Sequence, residues 1–221
     1  MESTSIQKKS KNFSLLCVIA NIGDSEKVLK EAKEAGVTGG TIFLGKGTAK
    51  NHILELLGID EIKKEIVLMM VDSDNEDNVL QRLTAKLRLD KPNHGIAFSL
   101  PVKCFLGSRS SSASKYVSDS SDLEGFELIF TIVPRGSGEK VIKTTTASGA
   151  YGNTLIHARG CGKHEKDTLF SIALEPEKEI ILTLTDKKAT ESIVNSVVSA
   201  IDLYEPGNGI LFVLKLNHLS Y

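Results

Sequence analysis

Residues 13–102 are repeated in residues 126–216, and this internal repeat limits what the chain can fold into more than any other feature. Phe13-Ser14-Leu15-Leu16-Cys17-Val18-Ile19 returns as Phe126-Glu127-Leu128-Ile129-Phe130-Thr131-Ile132, displaced by 113 positions, and the displacement holds without a gap to Gly47, which meets Gly160. Glu65-Ile66-Val67-Leu68 returns as Glu179-Ile180-Ile181-Leu182, displaced by 114, so one residue has been gained in the loop between. Solenoid modules repeat every 20–50 residues or so. A unit of about 90 residues is instead a duplicated globular domain, large enough to bury a modest core of its own.

Each copy carries the same succession of patterns. Phe13 to Ala20 is a short apolar run rich in β-formers and predicts a strand. Glu26 to Ala35 places Val28, Leu29, Ala32 and Ala35 on one helical face, with Asp24 and Ser25 as N-cap candidates and Gly36 as the stop. Thr41–Leu44 and Glu65–Val71 predict two more strands, Asn75–Arg88 a second helix, and Ile96–Leu100 a last strand. The order β-α-β-β-α-β is the split βαβ arrangement: an α+β fold of two tandem ferredoxin-like units, each an antiparallel sheet with both helices on one face. Thr144-Thr145-Thr146 argues locally against a helix in the second copy, and the repeat argues for one.

With 27 basic and 28 acidic side chains, the chain carries a net charge of −1, so no general attraction to nucleic acid or anionic lipid follows. No apolar run approaches the roughly 20 residues of a membrane helix. Cys17, Cys104 and Cys161 fall at positions the other copy does not share and form no zinc-type pair. A cytoplasmic protein without disulfides is expected. The copies are joined by a stretch with eight serines between Ser108 and Ser121, read as a flexible tether because it offers little apolar surface to offset ordering entropy.

Three glycine-marked places recur. They are the helix-to-strand junction (Gly36 to Thr41, Gly149 to Thr154), the end of the second strand (Gly45-Lys46-Gly47, Arg159-Gly160-Cys161-Gly162) and the approach to the last strand (Pro92-Asn93-His94-Gly95, Pro206-Gly207-Asn208-Gly209). Each is a tight turn, or together they present backbone N–H groups to an anion. The five histidines, His52, His94, His157, His164 and His218, lack metal-ligand spacing. Asp72 and Asp186 recur where helix N-capping accounts for them, and no paired carboxylates suggest catalysis.

The string GVTGGTIFLGKGT, then a loop, KKEIVLMMV, a helix and PNHGIAFSLPV resembles the PII family of nitrogen-signalling proteins, and YGNTLIHARGCG, KEIILTL and EPGNGILFVL repeat the likeness. The resemblance implies a first PII-like domain at 12–103, a Ser-rich linker at 104–125 and a second domain at 126–219. It implies a non-enzymatic signal-transduction protein without a cofactor. A small effector, nucleotide-like and of adenine type, would bind in inter-domain clefts and control a partner protein (enzyme, transporter or regulator) through the loop after the second strand.

By the same match Thr38, Lys46, Gly47 and Gly95 line one cleft, and Arg159, Gly160, Gly207 and Gly209 another. The family's phosphate-gripping lysine is replaced by Ile96 and Ile210, so ordinary Mg-ATP binding is not expected. The loops, 17 residues between Gly47 and Glu65 and 18 between Gly160 and Glu179, contain no tyrosine. The second loop, Thr168 to Leu174 followed by Glu175-Pro176-Glu177-Lys178 and then a strand, reads as a β-hairpin. One sheet face of each unit needs a cover, and the family's three-fold assembly makes the expectation a homo-oligomer, three chains with six domains. The alternative is a structural or assembly module of the same fold that has lost its ligand.

Overall fold

The computed structural model describes residues 12–47, 62–107, 125–161, 167–169, 172–174 and 176–216. The first repeat comprises β1 (Phe13–Asn21), α1 (Ser25–Glu34), β2 (Gly40–Gly47), β3 (Ile62–Asp72), α2 (Glu76–Leu87, entered through a 3-10 turn at Ser73–Asn75) and β4 (Ile96–Val102). After β5 (Cys104–Leu106) the second repeat follows as β6 (Phe126–Pro134), α3 (Gly138–Ala147), β7 (Gly152–Cys161), β8 (Asp167–Leu169), β9 (Ile172–Leu174), β10 (Glu177–Asp186), α4 (Lys187–Ala200) and β11 (Ile210–Lys215). Both repeats therefore hold the predicted β-α-β-β-α-β order.

Local chemistry explains most of these elements. Asp72 and Asp186 cap as expected, their Oδ1 atoms accepting the N–H of Asp74 and Lys188. The three threonines do not break α3. Thr144 donates its hydroxyl to the Lys140 carbonyl and Thr145 to that of Ile142, so these hydroxyls bond within the helix instead of competing with it. Val141 and Thr145 meanwhile bury the helix on the sheet. A hairpin forms, but not with the arms expected: β8 and β9 pair antiparallel from Asp167↔Leu174 to Leu169↔Ile172, both ahead of Glu175-Pro176-Glu177-Lys178.

The strand order is β4-β1-β3-β2-β7-β10-β6-β11-β5 in one nine-stranded sheet. Each repeat supplies a four-stranded ferredoxin-like sheet, and the two fuse where β2 pairs antiparallel with β7 through Gly40↔Cys161, Thr41↔Gly160 and Ile42↔Arg159. Gly160 makes this approach possible, because a Cβ there would lie 2.2 Å from the Gly40 carbonyl oxygen and 2.9 Å from Thr41 Cα.

Two cores lie beneath the helices, one per repeat. The first gathers Leu16, Val18, Val28, Ile42, Val67, Met69, Val79 and Leu83; the second gathers Ile129, Val133, Val141, Ile181, Ile193, Val194, Val197 and Leu211. A third core is shared, with Leu15, Cys17 and Leu68 of the first repeat meeting Phe105, Ile132, Ile180, Phe212 and Leu214. The sheet thus folds back so that the helix-free face of one repeat covers that of the other. The cover that the sequence assigned to other chains is supplied in large part from within.

The linker reading is corrected at its start. Cys104, Phe105 and Leu106 are all buried and pair with Val213, Phe212 and Leu211, with the Phe105 ring 5.0 Å from that of Phe13. Three consecutive apolar side chains found burial on the second repeat's edge. Lys103, the single residue between β4 and β5, bonds through Nζ to Glu127 Oε1 at 2.7 Å, and Glu127 is fully buried. The serines from Ser108 to Ser121 lie outside the described residues.

Candidate functional site at the seam between the repeats

The β2–β7 seam brings one predicted site residue into a charged constellation that spans both repeats. Glu65 on β3 is 3% exposed, a burial a carboxylate tolerates only with strong partners. Its Oε2 accepts the backbone N–H groups of Gly23 and Ser25, both at 3.0 Å, at the start of α1. Its Oε1 accepts from Arg159 Nη2 at 2.7 Å, an arm reaching over from β7 of the other repeat, and Arg159 also donates to Ser25 Oγ at 3.3 Å. Burial raises the Glu65 carboxyl's pKa. Hydrogen bonds from Ser25, Arg159 and Gly23 outweigh it, so the group is held below the ordinary glutamate value and is a carboxylate at neutral pH.

The second repeat reproduces half of this arrangement. Glu179 Oε2 accepts from Gly136 N at 3.1 Å and from Gly138 N at 2.7 Å, at the start of α3. Gly138 stands where the first copy has Ser25, and a Cβ there would lie 2.6 Å from Glu179 Oε2. In both copies a strand carboxylate fills the positive end of the first helix. The N-cap expectation for Asp24 and Ser25 is corrected accordingly: Asp24 makes no side-chain cap bond, and a carboxylate from a distant strand does the capping. The sequence signal was present, a glutamate kept in both copies at the head of a buried strand.

Gly160, also predicted, lies in the seam itself, opposite Thr41. Thr38 is exposed between α1 and β2. Lys46 and Gly47 end β2, opposite Lys63 and Ile62. Gly95 and Gly209 precede β4 and β11 with φ of +118° and +134°, and a Cβ on either would meet the carbonyl of Ile19 at 2.5 Å or of Ile132 at 2.3 Å. Gly207 sits in the exposed turn before β11 with φ of +89°. Along the sheet, the glycine turn before β4 and the end of β2 are separated by β1 and β3, three strand spacings or about 14 Å. The same separation holds in the second repeat, so the two groups of glycines mark opposite edges of each repeat's sheet. Ile96 is exposed and Ile210 half-buried. His94 Nδ1 lies 3.2 Å from the Leu87 carbonyl oxygen; His52, His164 and His218 fall outside the described residues.

An α+β chain of two ferredoxin-like repeats, with a buried carboxylate at the head of each first helix and an arginine crossing between repeats, defines the class. Residues 126–220 match the family model for nitrogen regulatory protein P-II. The match covers the second repeat, and the first repeat is its internal copy in sequence and in fold. Among solved structures the chain is similar to Arabidopsis thaliana PII bound to citrate, at 23% identity and a TM-score of 0.35, over 45% of this chain and 85% of that one. It is similar also to the GlnK–ATP complex of B. subtilis, at 19% identity and a TM-score of 0.32, over 41% of this chain and 82% of that one. No curated protein matches the chain significantly. Among the described residues no helix is long and apolar enough to cross a membrane.

Proposed function

We propose that this chain is a non-catalytic cytoplasmic signalling protein that binds a small, weakly charged effector at the seam between its repeats and passes the binding state to a partner protein. The observation that carries the reading is the Arg159–Glu65 bridge in a chain whose residues 126–220 match the P-II family model. The bridge joins the end of β7 in one repeat to β3 of the other, through a carboxylate that also holds the start of α1. Arg159 is 40% exposed, so an acidic group on an effector has access to it. Beyond β7 the chain enters the segment leading to the β8–β9 hairpin, so a ligand that draws Arg159 from Glu65 bears on the surface a partner would read. Such a ligand shifts the population between a bridged and an unbridged seam by its differential affinity for the two.

The helix starts are already filled by Glu65 and Glu179, and isoleucines stand where the resemblance expects phosphate-binding lysines. Both features argue for a ligand with less charge than Mg-ATP. They also support a second reading, an assembly module whose ligand site has been closed by internal carboxylates. A thermal-shift panel of ATP, ADP, AMP, citrate and cyclic dinucleotides separates the two. A ligand at 100 times its dissociation constant adds about 2.7 kcal/mol, and the Arg159→Met variant is expected to lose that shift. The absence of a shift with every compound favours the assembly reading. The oligomeric state, proposed to be above one chain, is measured by sedimentation at micromolar concentration.

A further inference from the structure

The seam inside the chain is head-to-tail, so one half of the same contact is left unused on each repeat. The start of β2 meets the end of β7 through Gly40↔Cys161, Thr41↔Gly160 and Ile42↔Arg159. At the end of β2, Lys46 and Gly47 pair with Lys63 and Ile62 of β3 and, among the described residues, with no strand on their other side. At the start of β7, Gly152 to Leu155 pair in the same one-sided way with Leu184 to Ile181 of β10. Burial follows the difference. Thr41 and Ile42 are 7% and 1% exposed, whereas their counterparts Thr154 and Leu155 are exposed and half-buried.

The unused halves carry the same chemistry as the halves that have met. Moving each seam pair by 113 positions turns Thr41↔Gly160 into Thr154↔Gly47, and Ile42↔Arg159 into Leu155↔Lys46. Gly160 is required because a Cβ there would strike the Gly40 carbonyl, and a glycine stands at 47 as well. Arg159 corresponds to Lys46, so the strand end keeps an exposed cation. The target is kept too. Glu65 takes backbone amides at Oε2 and Arg159 at Oε1. Glu179 takes the amides of Gly136 and Gly138 at Oε2, and among the described residues its Oε1 accepts no hydrogen bond. Arg135 lies near Glu179 but gives its hydrogen bond to Glu177. One chain does not join the two unused halves to each other, because its β2–β7 ladder ends at Ile42↔Arg159, short of Lys46 and Leu155.

We propose that a second copy of this chain completes the Glu179 site, its Lys46 bonding to Glu179 and its Gly47 pairing with Thr154 on the free edge of β7. The second copy is the occupant that offers the matching surface: a strand edge in the right register, a glycine where the backbones close up, and a cation for the carboxylate. Each chain presents one such strand end and one such carboxylate, so a two-fold axis makes the contact twice and leaves neither half open. Pairing also removes two bare sheet edges, which otherwise template indiscriminate association. The contact between chains thereby repeats the contact already made within each chain.

The test mixes two full-length variants, both in a Cys161→Ser background, one with Lys46→Cys and the other with Leu155→Cys. Residues directly opposite on antiparallel strands have Cα atoms about 4.5–5.5 Å apart, within disulfide reach. Oxidation of the mixture is expected to give a disulfide-linked dimer on a non-reducing gel that neither variant gives alone. No link in the mixture, or equal linking by either variant alone, would overturn the proposal. A second measurement needs no cysteine. The wild type should sediment at micromolar concentration with the mass of two chains. Lys46→Glu, which sets a negative charge against Glu179, should sediment with the mass of one while its circular dichroism spectrum stays that of the folded chain. A wild type with the mass of one chain or of more than two, or a variant still paired, contradicts the docking. Neither measurement uses an effector, so both stand apart from the proposed function.

Discussion

Replacing Arg159 with Met removes the guanidinium from the seam while keeping much of the aliphatic stem, and should loosen one repeat from the other. Breaking a buried ion pair by deleting one partner typically costs about 3–5 kcal/mol. Here the cost is smaller, because Arg159 is 40% exposed and Glu65 keeps the amides of Gly23 and Ser25. A discounted loss of about 1–2 kcal/mol follows from the worth of a hydrogen bond to a charged group screened on one side. In a chain of 221 residues this lowers Tm by roughly 2–8 °C. Urea denaturation of the wild type, Arg159→Met, Glu65→Gln and the double variant at pH 7 isolates the pair as a coupling energy. The Glu65 pKa is lowered by folding, so its contribution is complete above the unfolded glutamate value of about 4.3 and fades as pH falls through the folded value. The coupling should therefore shrink on moving from pH 7 to pH 3.5. Additive single-variant effects at pH 7, within about 0.3 kcal/mol, would refute the idea that the bridge holds the seam.

Three further outcomes are expected. Gly160→Ala drives a methyl into the Gly40 carbonyl and should cost about 1–3 kcal/mol as overpacking, against a smaller effect at Gly152, where nothing lies within 4 Å; chemical denaturation compares them. Lys103→Met removes the 2.7 Å partner of fully buried Glu127 and should destabilise the chain by about 2–4 kcal/mol, near the lower end for a broken buried pair, with near-normal stability expected on adding Glu127→Leu. The thiols of Cys17 and Cys104 are pushed up to about 11 by burial, so both should react with a disulfide reagent at pH 8 far more slowly in the native chain than in urea.

Much of the fold was legible because it depends on local periodicity. The short apolar run Phe13–Ala20, and Val79, Leu83 and Leu87 at helical spacing, select strand and helix wherever the chain later packs, and the repeat supplied independent readings of each element. Even the threonine-rich α3 was recovered this way. The candidate site was less legible. Glycines at 95, 160 and 209 were singled out correctly as special, but what crowds them is the backbone of a neighbouring strand, at Ile19, Gly40 and Ile132. Arg159 was named for its charge, and Glu65, which gives that charge its partner, was seen only as part of the repeat.

By itself the sequence determined two copies of one β-α-β-β-α-β unit, the apolar faces of the helices and the capping roles of Asp72 and Asp186, since these follow from patterns along the chain alone. Tertiary structure alone decided how the copies meet. Nothing in a strand's own pattern says which neighbour will pair with its free edge, because backbone N–H and C=O groups are the same at every edge. The choice of β7 for β2, of β11 for Cys104–Leu106 and of Arg159 for Glu65 rests on contacts between residues up to 134 positions apart. It was settled by which arrangement buries both helix-free faces while leaving Glu65 a cation.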